Sequence, residues 1–336
     1  TKIPDTLVMK AWAKDTWASG LHKSYFEKFT GTGADSIVQI KTELQKGKGD
    51  TVTIPLLMPL TGAGVTGDSM LEGHEESLIY KDFGVTITQL RNAVRLEGKF
   101  EEQKTQLNMR TDAKNALSDW LATKIDKTIF DVLSKNPSPD RVLYAGGAAN
   151  DAAIAATGIF TAEMIGKAKR MATADENTMV KPIKIDGADT YVMVVDQWQA
   201  RDLMKDKVFL DAQQYAGMRG KENPIFTGAL GMYDGVVIHQ SNRIFRDKTV
   251  NTKVVLIVAF CYFLTFNLLG RNYDAAVMAV GNEPEWNEDT FDYKNQMGFA
   301  FGRIFGIAKS AFDYMGSGTK TDFGVVNVVT ASPDDK

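Results

Sequence analysis

The most regular pattern of apolar positions lies between Lys99 and Asn136, a stretch with neither Gly nor Pro. Apolar residues recur there at every fourth position, at Ala113, Leu117, Leu121, Ile125, Ile129 and Leu133, and Trp120 widens the stripe. Residues four apart lie on the same side of a helix. The pattern therefore predicts one long helix with a buried core face, roughly 50 Å in length at 1.5 Å per residue.

Residues 50–90 have a different pattern, in which the β-rich run TVTIPLLMPL is followed by a glycine-rich segment and then by an alternating return strand. The pattern predicts a long two-stranded ribbon with a flexible tip. A lone ribbon cannot bury its own apolar side chains in water, so they require a partner, and a neighbouring copy of the chain is the simplest one. The residues concerned are Leu56, Leu57, Met58, Leu60, Leu71, Leu78 and Ile79.

The rest of the chain mixes helical and strand patterns and indicates an α+β fold. Residues 10–29 favour an amphipathic helix interrupted near Gly20, and residues 140–250 alternate helices with strands. In that module MYDGVVIHQSNRIF is interpreted as a single strand, and residues 254–331 as mostly strands. The apolar run Val254 to Leu269 is shorter than the about 20 residues of a membrane-spanning helix and is predicted to be a buried strand or helix.

Charge and composition exclude several classes of protein. The 336 residues include 39 basic and 42 acidic side chains, so no overall positive field attracts the chain to nucleic acid or to an anionic membrane. Lys10, Lys14 and Asp15 interrupt the N-terminal segment where a secretory signal needs an apolar stretch, which favours a cytosolic product. We expect no membrane contact.

Gly62, Gly64 and Gly67 follow the order of a G-x-G-x-x-G dinucleotide-binding loop. That motif requires a buried parallel strand before it and a packed helix after it. Pro55 and Pro59 argue against a central strand, and Gly73 comes too early for such a helix. Glycines that allow tight bends at the ribbon tip are the favoured interpretation, and a nucleotide-dependent enzyme is the alternative.

No other motif predicts catalysis, a cofactor or a metal site. Cys261 is the only cysteine and lies in an apolar run, and the histidines, His22, His74 and His239, lie in separate segments. The acidic residues between Glu283 and Asp292 are interpreted as a solvated loop. The basic stretch from Arg91 to Arg110 also contains acids, so ion pairs between subunits are at least as well supported there as phosphate contacts.

Several blocks of the chain resemble the major capsid proteins of the N4-like podovirus family. The blocks are GDTVTIPLLMPLTGAGVTGDSMLEGHEESL, RNAVRLEGKFEEQ, ALSDWLATKID, NPIFTGALGMYDGVVIH and DFGVV, spread from about residue 36 to residue 330. The resemblance implies the Hong Kong 97-type capsid fold of tailed phages. It implies an N-terminal arm over 1–49, an E-loop hairpin with its return strand over 50–98, a peripheral domain with the spine helix over 99–139 and 254–336, and an axial domain over 140–253.

The resemblance also implies a structural, non-enzymatic function. Copies of the chain would assemble as hexamers and pentamers into the icosahedral head of the virion, in the cytoplasm of the host bacterium. The head would enclose double-stranded DNA without sequence specificity, with portal, scaffold or decoration proteins as further partners. The E-loop would lie across the spine of a neighbouring subunit. A nanocompartment shell of the encapsulin type, which has the same fold, is an alternative.

Overall fold

A long helix and two multistranded sheets organise the chain. The computed structural model describes residues 5–32, 38–42, 49–58, 60, 62–104, 108–174, 180, 182–185, 188–215, 229–244, 246–247, 252–258, 275–313 and 318–331. The helices are α1 (Asp5–His22), α2 (Lys99–Lys104), α3 (Met109–Ser134), α4 (Ala162–Thr173), α5 (Gln197–Lys205) and α6 (Lys207–Tyr215). The strands are β1 (Thr30–Gly31), β2 (Val38–Lys41), β3 (Thr51–Leu57), β4 (Tyr80–Thr86), β5 (Thr88–Arg95), β6 (Val142–Tyr144), β7 (Ile183–Ile185), β8 (Ala188–Val195), β9 (Ala229–Tyr233), β10 (Val236–Gln240), β11 (Arg246–Asp247), β12 (Thr252–Val258), β13 (Ala276–Val280), β14 (Glu285–Phe291), β15 (Gln296–Lys309), β16 (Ala311–Phe312), β17 (Thr321–Asp322) and β18 (Val325–Ala331).

The helix α3 lies at the centre of the fold. It has 26 residues and is about 39 Å long at 1.5 Å per residue. The prediction of a single helix from residue 99 was wrong, because Asn108 has a non-helical backbone and caps α3: its Oδ1 accepts a hydrogen bond from the Thr111 amide at 3.2 Å. Such a cap satisfies one of the amides that a helix N-terminus leaves unpaired.

The N-terminal helix α1 packs along α3. The predicted interruption near Gly20 is absent, since α1 continues to His22. A Cβ at Gly20 would lie 2.8 Å from the Leu121 side chain, so this glycine permits close approach of two helices. Side chains between Trp12 and Ile40 thus join the same hydrophobic cluster as the buried side of α3.

The smaller sheet has the strand order β1-β2-β13-β15-β14, and β5 pairs with β15. The acidic segment predicted as a loop is the strand β14, paired antiparallel with β15 from Glu285 to Phe291. The strand buries Trp286 and exposes Glu285, Asn287 and Asp289 on the other side, while Glu288, on the same side as Trp286, is partly buried. A period of two therefore explains how an acidic segment is accommodated in a sheet.

The larger sheet has the strand order β6-β18-β12-β8-β10-β9. Strands β12 and β18 pair with each other and β12 pairs with β8, so the two ends of the 254–336 segment belong to this sheet. The assignment of residues 254–336 to a peripheral domain stays a prediction. Along β8, Val192 and Val194 face the core that contains α3, whereas Met193 and Val195 face the core beneath α4 and α5. Strands buried on both faces are expected to be continuously apolar, which is the pattern seen here.

Two further sequence interpretations are changed by the larger sheet. The segment predicted as one strand is the hairpin β9–β10, whose turn contains Asp234 and Gly235 with positive φ angles of 49° and 73°. Asp-Gly is a typical pair for such a tight turn. Of the apolar run after Val254, the structure describes residues up to Val258, which form the end of β12, while the rest of the run and Cys261 lie outside the described residues.

Candidate assembly surface

The antiparallel pair β3–β4, called the ribbon below, projects from the smaller sheet. Its register pairs Thr51 with Thr86 at the base and Leu57 with Tyr80 at the far end. The Met58 amide then donates a hydrogen bond of 2.9 Å to the Ile79 carbonyl oxygen. Residues 60–80, called the ribbon tip below, join the two strands and end at Tyr80, the partner of Leu57, and the described residues 60 and 62–79 form no helix and no strand.

The base of the ribbon is buried in the chain's own core. Val52, Phe83 and Val85 belong to a cluster that includes Phe312 and Phe323. The rings of Phe83 and Phe312 meet edge to face with centroids 5.0 Å apart. Gly306 lets the backbone approach here, because a Cβ at this position would overlap the carbonyl oxygen of Thr86.

The ribbon tip exposes its apolar side chains. Leu60 is 61% exposed, Met70 72% and Leu71 59%. Leu78, Ile79 and Tyr80 are exposed to a similar degree. The Met58 side chain is partly buried at the edge of the base cluster, and the side chains of Leu56 and Leu57 lie outside the described residues.

The glycines of the tip serve the backbone conformation. Gly64 and Gly67 have φ angles of +66° and +69°, where a side chain is strained, and Gly62 lies against the carboxylate of Glu76. Residues 62–79 contain no helix, and β3 before them is paired antiparallel with β4. Both elements that hold a pyrophosphate in a dinucleotide-binding loop are therefore absent from this segment.

The helix α3 turns its apolar residues inward. Ala113, Leu117, Leu121, Ile125 and Ile129 are all buried, and Trp120 is partly buried against the same cluster. The exposed side of α3 is polar: its charged residues are Asp112, Asp119, Lys124 and Lys127. No large hydrophobic side chain of α3 is exposed.

A buried carboxylate that the sequence patterns did not reveal joins three parts of the chain. Asp126 on α3 is fully buried and accepts hydrogen bonds from the Ser24 hydroxyl, from the Tyr25 amide at 2.9 Å and from the Arg243 guanidinium. Arg243 follows β10 of the larger sheet. The available signal was an acid beside the apolar stripe, with Ala122, Ile129 and Phe130 three or four residues away from it on the same side of the helix, since a buried carboxylate is normally paired.

Burial shifts the pKa of two side chains, Tyr25 and Arg303. Burial raises the pKa of the Tyr25 hydroxyl, and the negative charge of Asp126 raises it further. On β15, burial lowers the pKa of Arg303 to about 10, and the negative charge of Glu283 partly opposes this shift. The Arg303 guanidinium lies 3.7 Å from the centroid of the Trp17 ring, a cation–π contact between β15 and α1.

A second buried carboxylate links the end of α3 to the strands around β17. Asp322 accepts hydrogen bonds from the Ser138 amide at 3.0 Å and from Lys309 Nζ at 2.9 Å. The Asp322 amide donates in turn to the Ser138 hydroxyl at 2.7 Å. Both carboxylates thus fix parts of one subunit relative to each other.

The basic stretch from Arg91 to Arg110 divides in two. Arg110 forms an ion pair with Glu288 inside the chain and lies 4.8 Å from the Trp12 ring centroid. Arg91 and Arg95 are exposed on β5.

Within the described residues no three potential metal ligands cluster, and no described helix is long and apolar enough to cross a bilayer.

Comparison with known proteins identifies the family. A family model described as phage capsid protein matches residues 1–334. The chain belongs to the phage capsid protein family. This capsid protein is 26% identical over 364 residues to the major capsid protein of Pseudomonas phage KPP25, with 96% of this chain and 94% of the relative covered.

Solved structures show the same fold. The capsid of Ralstonia phage GP4 superimposes with a TM-score of 0.77 at 28% identity, covering 93% of this chain and 92% of that one. The capsid of cyanophage Pam1 gives 0.74 at 21% identity, covering 94% of each chain. The protein is a tailed-phage major capsid protein with the Hong Kong 97-type fold, a structural subunit whose copies form the shell of the virion head.

An encapsulin, the alternative considered above, is only distantly similar to this chain. An encapsulin of Synechococcus elongatus PCC 7942 superimposes on this capsid protein with a TM-score of 0.50 at 6% identity, covering 88% of this chain and 85% of that one. This likeness shows a shared fold alone.

Proposed function

We propose that this capsid protein assembles through its ribbon, which lies on a neighbouring subunit and closes an icosahedral shell of hexamers and pentamers around double-stranded DNA. The observation that carries the proposal is the contrast along the ribbon between a base in its own core and a tip with exposed Leu60, Met70 and Leu71. Exposed apolar patches of this kind usually mark contacts with other proteins.

A second exposed apolar patch supports contacts between subunits through the axial domain. Met204, Val208, Leu210 and Met232 are exposed on α5, α6 and β9. Gln213 Nε2 on α6 donates to the Met232 carbonyl oxygen at 3.2 Å, so α6 and β9 are in contact. We infer that this surface meets its equivalents around the axis of each hexamer or pentamer.

The proposed cargo is DNA held without base-specific contacts. With a net charge of −3, subunits can approach one another without a large repulsion. The same net charge provides no strong positive field that would hold the genome. Assembly would take place in the host cytoplasm with portal, scaffold or decoration proteins as partners. The proposal assigns the chain no catalytic step.

Deleting residues 61–76 tests the role of the ribbon tip. The Met58–Ile79 hydrogen bond closes the ribbon before the deletion, so the subunit should fold with an unchanged far-ultraviolet circular dichroism spectrum. Electron microscopy and sedimentation should then show free subunits or small oligomers in place of particles.

A matched variant replaces residues 61–76 by Gly and Ser at the same length. It should fail to assemble as the deletion does, because it lacks the apolar side chains. Normal particles from the deletion would refute the proposed contact.

The content of the particles tests the proposed cargo. Wild-type particles purified from infected cells should contain double-stranded DNA by absorbance ratio, whereas particles filled with protein cargo would favour the nanocompartment alternative.

A further inference from the structure

We propose that the ribbon tip binds a specific face of the neighbouring subunit, formed by β5 and the turn between β14 and β15. This inference rests on the ribbon contact proposed above and adds the position of the contact on the partner copy. It follows from the charge of the tip, the charge and aromatic residues of the face, and the polar character of α3.

The ribbon tip is acidic as well as apolar. Between residues 60 and 80 the sequence contains Asp68, Glu72, Glu75 and Glu76 and neither Lys nor Arg. All four acids are exposed, beside exposed Met70 and Leu71 on the same segment. A surface that binds this tip therefore needs positive charge together with apolar area.

Strand β5 offers the positive charge. Arg91 and Arg95 are exposed, and the sequence of β5 contains no acid. Arg91 forms no ion pair with any residue that the structure describes, and its Cγ lies 3.2 Å from the position of a Cβ on Gly302, so its side chain crosses the flat surface of β15. Among the described strands β5 pairs with β15 alone, which leaves its other edge open to a partner.

The adjoining turn offers the apolar area. The Arg95 guanidinium lies 4.4 Å from the centroid of the Phe291 ring, and Phe291 is itself partly exposed. Tyr293 at the tip of the turn is fully exposed, at 104% of the reference area, and Phe100 after β5 is 71% exposed. Gln296 Nε2 donates to the Glu97 carbonyl oxygen at 2.9 Å, which holds the turn beside the end of β5.

The acids and the backbone conformation of the turn both bear on how a partner binds to this face. Asp289 and Asp292 border the face along β14, so a negatively charged partner is favoured next to Arg91 and Arg95. Asp292, Tyr293 and Lys294 all have positive φ angles, of 50°, 49° and 69°. Such conformations are unfavourable for residues other than glycine and hold Tyr293 away from its own subunit.

The outer face of α3 is a poorer partner for the same tip. It exposes no large hydrophobic side chain, and its exposed charges, Asp112 and Asp119 against Lys124 and Lys127, cancel. An apolar, acidic segment gains little from contact with a polar surface of zero net charge. We therefore place the tip on β5 and the neighbouring turn, where the sequence resemblance alone implied the spine.

Charge reversal tests the face. The variant Arg91→Glu with Arg95→Glu should raise the subunit concentration needed for assembly at least about tenfold, because like charges then meet across the contact. The compensating variant, which adds Asp68→Lys and Glu72→Lys to the reversed face, should return that concentration to within about threefold of the wild-type value. Light scattering against subunit concentration, with electron microscopy of the products, measures both.

The matched control is Lys124→Glu with Lys127→Glu, which makes the same charge change on α3 and should assemble as the wild type does. Rescue by the tip changes shows that the reversed face folds, since a change on the tip cannot repair an unfolded subunit. If the face variant assembles normally while the 61–76 deletion does not, the proposed face is wrong and the ribbon contact stands. If the deletion also assembles, both proposals fail.

Discussion

The helix α3 and the ribbon tip both contain many large apolar residues and bury them to opposite extents. Leu117, Leu121 and Ile125 are almost fully buried within the subunit, whereas Met70 and Leu71 are more than half exposed. The helix has α1 and both sheets to pack against, and its four-residue period turns the stripe from Ala113 to Leu133 to them. The tip extends beyond the paired strands, where no described part of the subunit covers it.

The boundary between the two behaviours lies inside the ribbon itself. Phe83 and Val85 near the base are buried, and Leu78 and Ile79 at the far end are exposed. Hydrophobic content thus does not tell where burial takes place. In this protein the helix buries its apolar area within the subunit, whereas the proposed ribbon contact would bury that of the tip on association, at about 25 cal/mol per Å².

The largest expected effect comes from a charge in the helical stripe. Leu117→Asp should prevent soluble folding, because it buries an unpaired carboxylate among apolar side chains and costs more than about 4 kcal/mol. The fraction of soluble protein and the thermal melting temperature measure the effect.

The neighbouring change Ala116→Asp is the control for this prediction, since Ala116 is exposed. It should leave the melting temperature within a few degrees of the wild-type value. An unchanged melting temperature for Leu117→Asp would show that α3 is not the centre of the core.

A smaller effect is expected where the helix holds other parts of the subunit. Asp126→Asn removes the charge that binds Ser24, Tyr25 and Arg243 and should lower the free energy of unfolding by about 3 kcal/mol. Urea unfolding of unassembled subunits measures it. Asp119→Asn, on the exposed ion pair with Lys23, is the control and should cost less than about 1 kcal/mol. Equal losses in the two variants would contradict the importance of burial.

The elements that could be predicted from the sequence are those with a regular pattern of apolar residues. The stripe from Ala113 to Ile129 needed only the four-residue repeat, and the two-stranded ribbon needed only β-rich runs on either side of a glycine-rich segment. In both cases the local pattern is also the pattern of burial, or of its absence, in the folded subunit.

The misjudged elements depended on tertiary contacts or on short turn signals. Gly20 is typical of a helix break, but its close contact with Leu121 keeps α1 continuous. The acids of β14 concealed a strand because pairing with β15 outweighs low β propensity. The network of Asp126 joins residues more than a hundred positions apart, which no local pattern encodes. The identity of the protein came from family resemblance, since no chemical motif distinguishes a shell subunit.

The smallest expected change in stability separates the tip most sharply from the helix. Met70→Ser with Leu71→Ser should alter the free energy of unfolding of the subunit by no more than about 0.5 kcal/mol, because both side chains are already in water. The same variant should lower the yield of particles severalfold, since the lost apolar area is buried only on association. Leu121→Ala is the reverse case and should cost about 2–5 kcal/mol of stability. If the serine variant lost stability instead of assembly, the tip would be folded against its own subunit in solution, and the contrast with α3 would disappear.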